Sequence, residues 1–94
     1  MAKVKWSLPS INDLESICEY ISRDSPSSAE KLAAEINERV KGLENFPRMG
    51  RIVPEREDPE LRELILGNYR IIYRIADENV EVLAIMHSKR RFSL

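Results

Sequence analysis

Apolar residues recur at two different periods along this chain, and the change of period divides it. Lys3-Val4-Lys5-Trp6 alternates polar and apolar, which predicts a short strand with Val4 and Trp6 on one face. From Ile11 to Ile21 the period lengthens. Ile11, Leu14, Ile17, Cys18 and Ile21 fall on one helical stripe, with Asn12, Asp13, Glu15, Ser16 and Glu19 opposite. Ser7 suits the N-cap position, and Pro9 is tolerated in a first turn. Ser22-Arg23-Asp24-Ser25-Pro26 breaks the pattern and restarts it, with Ser25 as cap and Pro26 at the first helical position. Ala29, Leu32, Ala33, Ile36, Val40 and Leu43 then form a second, longer stripe. Lys31–Glu35 and Glu35–Arg39 support it as pairs four residues apart. The two helices form an antiparallel hairpin.

Phe46-Pro47 ends the second helix, because a residue before proline avoids helical backbone. Gly50, Pro54 and Pro59 mark a long loop, and long loops in small domains are often functional. Strand character resumes at Leu61-Arg62-Glu63-Leu64-Ile65-Leu66 and turns at Gly67-Asn68. It continues through Tyr69–Ala76 and, after Asp77-Glu78-Asn79, through Val80–His87. The expected fold is α+β in the order β-α-α-β-β-β: a helical hairpin packed on a small, mostly antiparallel sheet, with residues 1–94 as one domain. The helices should cover one sheet face and leave the other half exposed for a partner.

Parity on the Tyr69–Ala76 strand places Tyr69, Ile71, Tyr73 and Ile75 toward the helices, and Arg70, Ile72, Arg74 and Ala76 away from them. Register with the last strand depends on the turn. A two-residue turn at Glu78-Asn79 sets Arg70 opposite His87 and Arg74 opposite Leu83. A three-residue loop sets His87 opposite Tyr69. One residue of slip changes the face.

Composition narrows the function classes. With 43% hydrophobic and 33% charged residues the chain is globular and well solvated. The net charge of −1 does not argue for nucleic acid. The cations from residue 46 onward are, however, almost all arginine, which forms forked bonds to phosphate or carboxylate. Cys18 is the lone cysteine and His87 the lone histidine, so neither a disulfide framework nor a multi-histidine metal site is expected. There is no glycine-rich phosphate loop and no Ser/His/Asp motif context. No apolar run is long enough to span a membrane, and Met1–Trp6 has no apolar signal core. A cytoplasmic protein without membrane contact, cofactor or metal is expected.

Several segments then carry a resemblance. Asp13–Ile21, Phe46–Glu55, Leu61–Leu64, Tyr69–Arg74 and Val82–Arg91 resemble, in order and spacing, segments of the RelE/ParE superfamily of toxins from type II toxin–antitoxin modules. The superfamily's β-α-α-β-β-β plan agrees with the order read from periodicity. The resemblance implies one of two activities. RelE-like members cut messenger RNA on the ribosome without metal; ParE-like members inhibit DNA gyrase and are not known as nucleases. Under the nuclease reading the candidate catalytic residues are Arg70 and Arg90 for phosphate, Glu55 as base and His87 as acid. Arg62, Arg74, Lys89 and Arg91 are candidates for target binding.

The paired lysines of the RelE type are replaced by Leu61 and Glu63, and no tyrosine stands in the tail. The pattern therefore points to the ParE-like side. The resemblance also implies a cognate antitoxin in a hetero-oligomer. Its folding segment would cover an apolar groove on the helices, with Ile11, Leu14, Ile36 and Val40 as candidates, and an exposed sheet edge.

Overall fold

The computed structural model describes residues 1–93. Strand β1 (Val4–Trp6) leads into helix α1 (Leu8–Ser22), then α2 (Pro26–Lys41) and a 3₁₀ turn over Gly42–Glu44. Strands β2 (Arg51–Ile52), β3 (Leu61–Leu66), β4 (Tyr69–Ala76) and β5 (Asn79–His87) follow. Both helix starts are capped as the sequence predicts. The Ser7 side chain accepts from the Ser10 N–H at 3.1 Å, and the Ser25 side chain from the Ser28 N–H at 3.3 Å.

The sheet order is β1-β5-β4-β3-β2, with β1 parallel to β5 and every other pair antiparallel. Two features depart from the sequence reading. The segment read as an unbroken loop contains β2, whose two residues extend the sheet beyond β3. The last turn lies at Asp77-Glu78, not Glu78-Asn79, so Ala76 faces Asn79. An irregularity between Ile72 and Tyr73 then lets Leu83 bulge, since Tyr73 faces Val82 while Ile72 faces Ala84. Beyond the bulge, His87 faces Tyr69 and Arg70 faces Met86, so the Arg70–His87 pairing does not form.

Where β1 runs out, helix α1 takes over the edge of β5. The Ser7 N–H donates to the Val82 carbonyl at 2.9 Å, and an Asp13 carboxylate oxygen accepts from the Ile85 N–H at 3.0 Å. These bonds satisfy backbone groups that the three-residue strand cannot reach.

The main core lies between the helices and the sheet. Ile36, Val40 and Leu43 pack with Leu64, Ile71, Tyr73, Ile75, Val80, Val82 and Ile85. Ile36 and Val40 are buried, so they do not belong to an open groove, whereas Ile11 is exposed. The far sheet face is also covered at its centre, contrary to expectation. Val53, Leu61, Ile72 and Phe92 form a second, smaller core there, closed by the loop after β2 and by the C-terminal segment. Tyr73, on the helix side, fixes the loop after α2. Its hydroxyl donates to the Pro47 carbonyl at 2.7 Å and accepts from the Gly50 N–H at 3.0 Å.

Candidate functional site

The site grows from Arg70 on the far face of β4. A buried guanidinium must be matched by carboxylates or carbonyls, and the fold supplies them from three directions. From β3, Glu63 Oε1 accepts from Arg70 Nε at 2.7 Å. From the loop after β2, Glu55 takes the fork of the guanidinium in a two-point bond. Its oxygens lie 2.9 Å from Nη1 and 2.8 Å from Nη2. From the C-terminal segment, the Arg90 carbonyl accepts from Nη1 at 2.8 Å. The other oxygen of Glu63 accepts from Arg51 Nε at 2.5 Å, across the β2–β3 pair that sets Arg51 opposite Glu63.

The electrostatics follow from these bonds. The fork of Arg70, joined by the Phe92 N–H at 2.9 Å, holds the Glu55 carboxyl down at about 2. Glu55 in turn raises the affinity of Arg70 for its proton, with Glu63 adding to the effect. Glu55 thus bridges Arg70 to the tail, and the buried Phe92 ring anchors that tail from below.

Above this network lies a shallow pocket of about 530 Å³, lined by Arg51, Pro54, Glu55, Arg70, Ser88, Lys89, Arg90 and Arg91. Five cations surround it. The carboxylates in contact with them are Glu55 and Glu63, so the pocket carries an excess of positive charge. Arg51, Lys89, Arg90 and Arg91 are exposed and can meet an anionic partner.

The structure gathers some of the candidate residues and separates others. Arg70, Glu55, Lys89, Arg90 and Arg91 share the pocket. His87 lies outside its lining; it is exposed, its ring meets Tyr69 edge-on at 6.1 Å, and its Nδ1 accepts from the Lys89 N–H at 3.2 Å. Arg62 clamps the long loop, donating to the Pro59 carbonyl at 2.9 Å and the Gly50 carbonyl at 3.0 Å. Arg74 pairs with Asp58 at 3.3 Å, beside a separate small hollow. The sequence reading does not single out Arg51. Its signal is the spacing Arg51–Val53, which places both residues on one side of an extended segment.

The comparisons with known proteins return toxins, under both ParE and RelE names. The family model described as ParE toxin of type II toxin-antitoxin system, parDE, matches residues 4–92. The chain is 35% identical over 92 residues to "Putative toxin Y4kP" of Sinorhizobium fredii, covering 96% of this chain and 92% of that protein. It is 33% identical over 91 residues to "Toxin RelE2" of Caulobacter vibrioides, covering 96% of this chain and 99% of that one. Among solved structures, one titled "Chromosomal ParDE TA system from P. aeruginosa" superimposes with a TM-score of 0.77 at 27% identity. That match covers 95% of this chain and 98% of the other.

Proposed function

The chain belongs to the ParE toxin family of type II toxin–antitoxin systems, and from that membership we propose that it acts by inhibiting DNA gyrase and is neutralised by a cognate antitoxin. One observation carries the choice of gyrase over RNA cleavage. Glu63 stands roughly where the RelE-type nucleases keep lysine, and here it is a fully buried carboxylate paired with Arg70 and Arg51. RNA cleavage without metal needs a base for the 2′-hydroxyl, an acid for the leaving oxygen and free cations for the phosphate. Arg70 spends its hydrogen bonds on two carboxylates and a carbonyl. Glu55, held at about 2, is a poor proton acceptor. His87 lies outside the pocket.

What the pocket retains is a fixed basic surface. Arg51, Lys89, Arg90 and Arg91 are the residues that meet the anionic part of the target in this reading. The antitoxin is supported by the relative whose solved structure is a ParDE system. No helix among the described residues is long and apolar enough to cross a membrane.

The test is a supercoiling assay with purified chain and gyrase, run beside a translating extract with primer extension on the message. Loss of supercoiling and accumulation of cleaved DNA are expected, with no new message ends. New message ends without any effect on gyrase would establish the RNA-cleaving alternative in its place.

A further inference from the structure

A second hollow, larger than the basic pocket, lies at the opposite end of β5. It has a volume of about 700 Å³ and is lined by the segment from Glu44 to Met49, by Ile75, and by the last turn, Asp77 to Asn79. Its lining mixes apolar and charged side chains: Phe46, Pro47, Met49 and Ile75 stand beside Glu44, Glu60, Asp77 and Glu78, and Arg48 and the N-terminal Met1 also border it. Phe46 is 66% exposed and Met49 47%, and both line it. Exposed aromatic and methionine side chains are costly in water and mark surfaces that partners cover. Around them stand Glu44, Asp77 and Glu78, none of which takes part in an ion pair among the described residues. Glu60 is the exception on this rim, since it is matched by Arg48 at 2.7 Å.

The turn adds an independent observation. Asp77 and Glu78 have φ of 52° and 66°, so both central residues adopt left-handed backbone. That turn favours Asn-Gly, and a glutamate at its second position is disfavoured. Aspartate suits the first of these positions, but at the second Glu78 carries a long charged side chain where glycine is preferred. Local strain of this kind collects where the side chains have work beyond the fold.

We infer that this hollow is a docking site for a basic, amphipathic polypeptide segment of a partner protein, whose apolar side chains cover Phe46 and Met49 while its lysines or arginines meet Glu44, Asp77 and Glu78. The charge of the rim selects the partner. A second copy of this chain is a poor occupant. Its own basic stretch, Lys89–Arg91, has Phe92 as its apolar neighbour, and that ring is buried within its own fold. The inference stands apart from the gyrase reading and does not fail with it.

The probe is a synthetic peptide of a dozen or so residues in which a tryptophan and two leucines at helical spacing are surrounded by lysines. A matched peptide carries glutamate in place of every lysine. Each is titrated into the isotope-labelled full chain and followed by amide chemical shifts. The lysine peptide should shift amides of residues 44–49 and 75–79, with an affinity that falls as salt rises. The double variant Asp77→Asn, Glu78→Gly removes both charges while giving the turn its preferred residues, so it folds at least as well as the parent. It should bind the lysine peptide about fivefold more weakly. Phe46→Ser, at an exposed position, should weaken it as well. Equal binding of the glutamate peptide, shifts confined to the helices, or no shifts at millimolar peptide would overturn the inference. Shifts in this region that grow with protein concentration alone would assign it to a second copy and overturn the partner.

Discussion

Arg70 and Glu63 meet at 2.7 Å on adjacent strands, with 5% and 0% of their side chains exposed. Two opposite charges taken this far out of water depend on one another. Their pairing and hydrogen bonds offset a desolvation cost that neither survives alone. Removing one partner strands the other. Arg70→Ala and Glu63→Ala should each lower unfolding free energy by about 3–5 kcal/mol, a large share of the roughly 5–15 kcal/mol of a typical domain. Urea titration followed by far-UV circular dichroism measures this. The double variant should lose much less than the sum of the two. A loss below about 1 kcal/mol for Arg70→Ala would show that the network is not structural. The same result sets a rule for activity work: inactivity of an Arg70→Ala chain says nothing about catalysis until its fold has been checked.

Glu55 makes the network sensitive to acid. Its carboxyl sits at about 2 in the folded chain, chiefly through the Arg70 fork, against 4.5 without that environment. A depressed carboxylate contributes stability that is complete above the unfolded value and is lost as pH falls toward the folded one. The window therefore runs from roughly pH 5 down to pH 2, and the contribution is on the order of 2–3 kcal/mol at neutral pH. Melting temperature measured across that range should fall more steeply for the parent than for Glu55→Gln. The two curves should converge at the acid end. Parallel curves would remove Glu55 from the linkage.

The elements were legible in the sequence wherever period and punctuation agreed. The capping serines Ser7 and Ser25 begin both helices, and the Tyr69/Ile71/Tyr73/Ile75 alternation places Ile71, Tyr73 and Ile75 in the main core. What escaped depends on contacts between distant segments. Strand β2 has only two residues, too few for any period to register, and exists because Arg51 and Ile52 pair with Glu63 and Arg62. The break at Asp77-Glu78-Asn79 reads as a hairpin connection, but its central pair escaped because Glu78 stands where the left-handed second position favours glycine. Phe92 lies outside every stripe and strand that the sequence marks, yet it is buried against the far sheet face. Of the candidate residues, Arg70, Arg90 and Glu55 lie together. Their mutual neutralisation was not foreseeable, since it requires Glu55 to reach back across the loop to β4.

Tyr73 gives a cleaner test of the loop after α2. Its buried hydroxyl joins the Pro47 carbonyl and the Gly50 N–H, and burial pushes its ionisation above the usual range. Tyr73→Phe keeps the ring and orphans both backbone groups. A loss of about 1–3 kcal/mol is expected. The Gly50 amide should also exchange with solvent faster than in the parent. Gly50→Ala should be at least as damaging, because a Cβ there would lie 2.6 Å from the Glu63 carbonyl oxygen and 2.7 Å from the Tyr73 hydroxyl. A fully stable Gly50→Ala chain would mean that this loop can move away from β3 at little cost.

The tail separates function from fold, because its two kinds of residue are oppositely placed. Lys89 and Arg91 are exposed and make no ion pair among the described residues, so reversing their charge leaves the core untouched. Lys89→Glu with Arg91→Glu should change unfolding free energy by no more than about 0.5 kcal/mol per site. Under the proposed reading the pair abolishes gyrase inhibition, since it replaces two of the pocket's cations by anions. Phe92→Ala does the reverse. It leaves every cation in place but empties the second core, at a cost of about 3 kcal/mol or more, and it releases the segment that Arg70 and Glu55 hold by its backbone. Inhibition should then weaken because the cations lose their fixed arrangement, and raising the concentration of chain should restore part of it. A charge-reversed chain that still inhibits gyrase at parental strength would move the target surface away from this pocket.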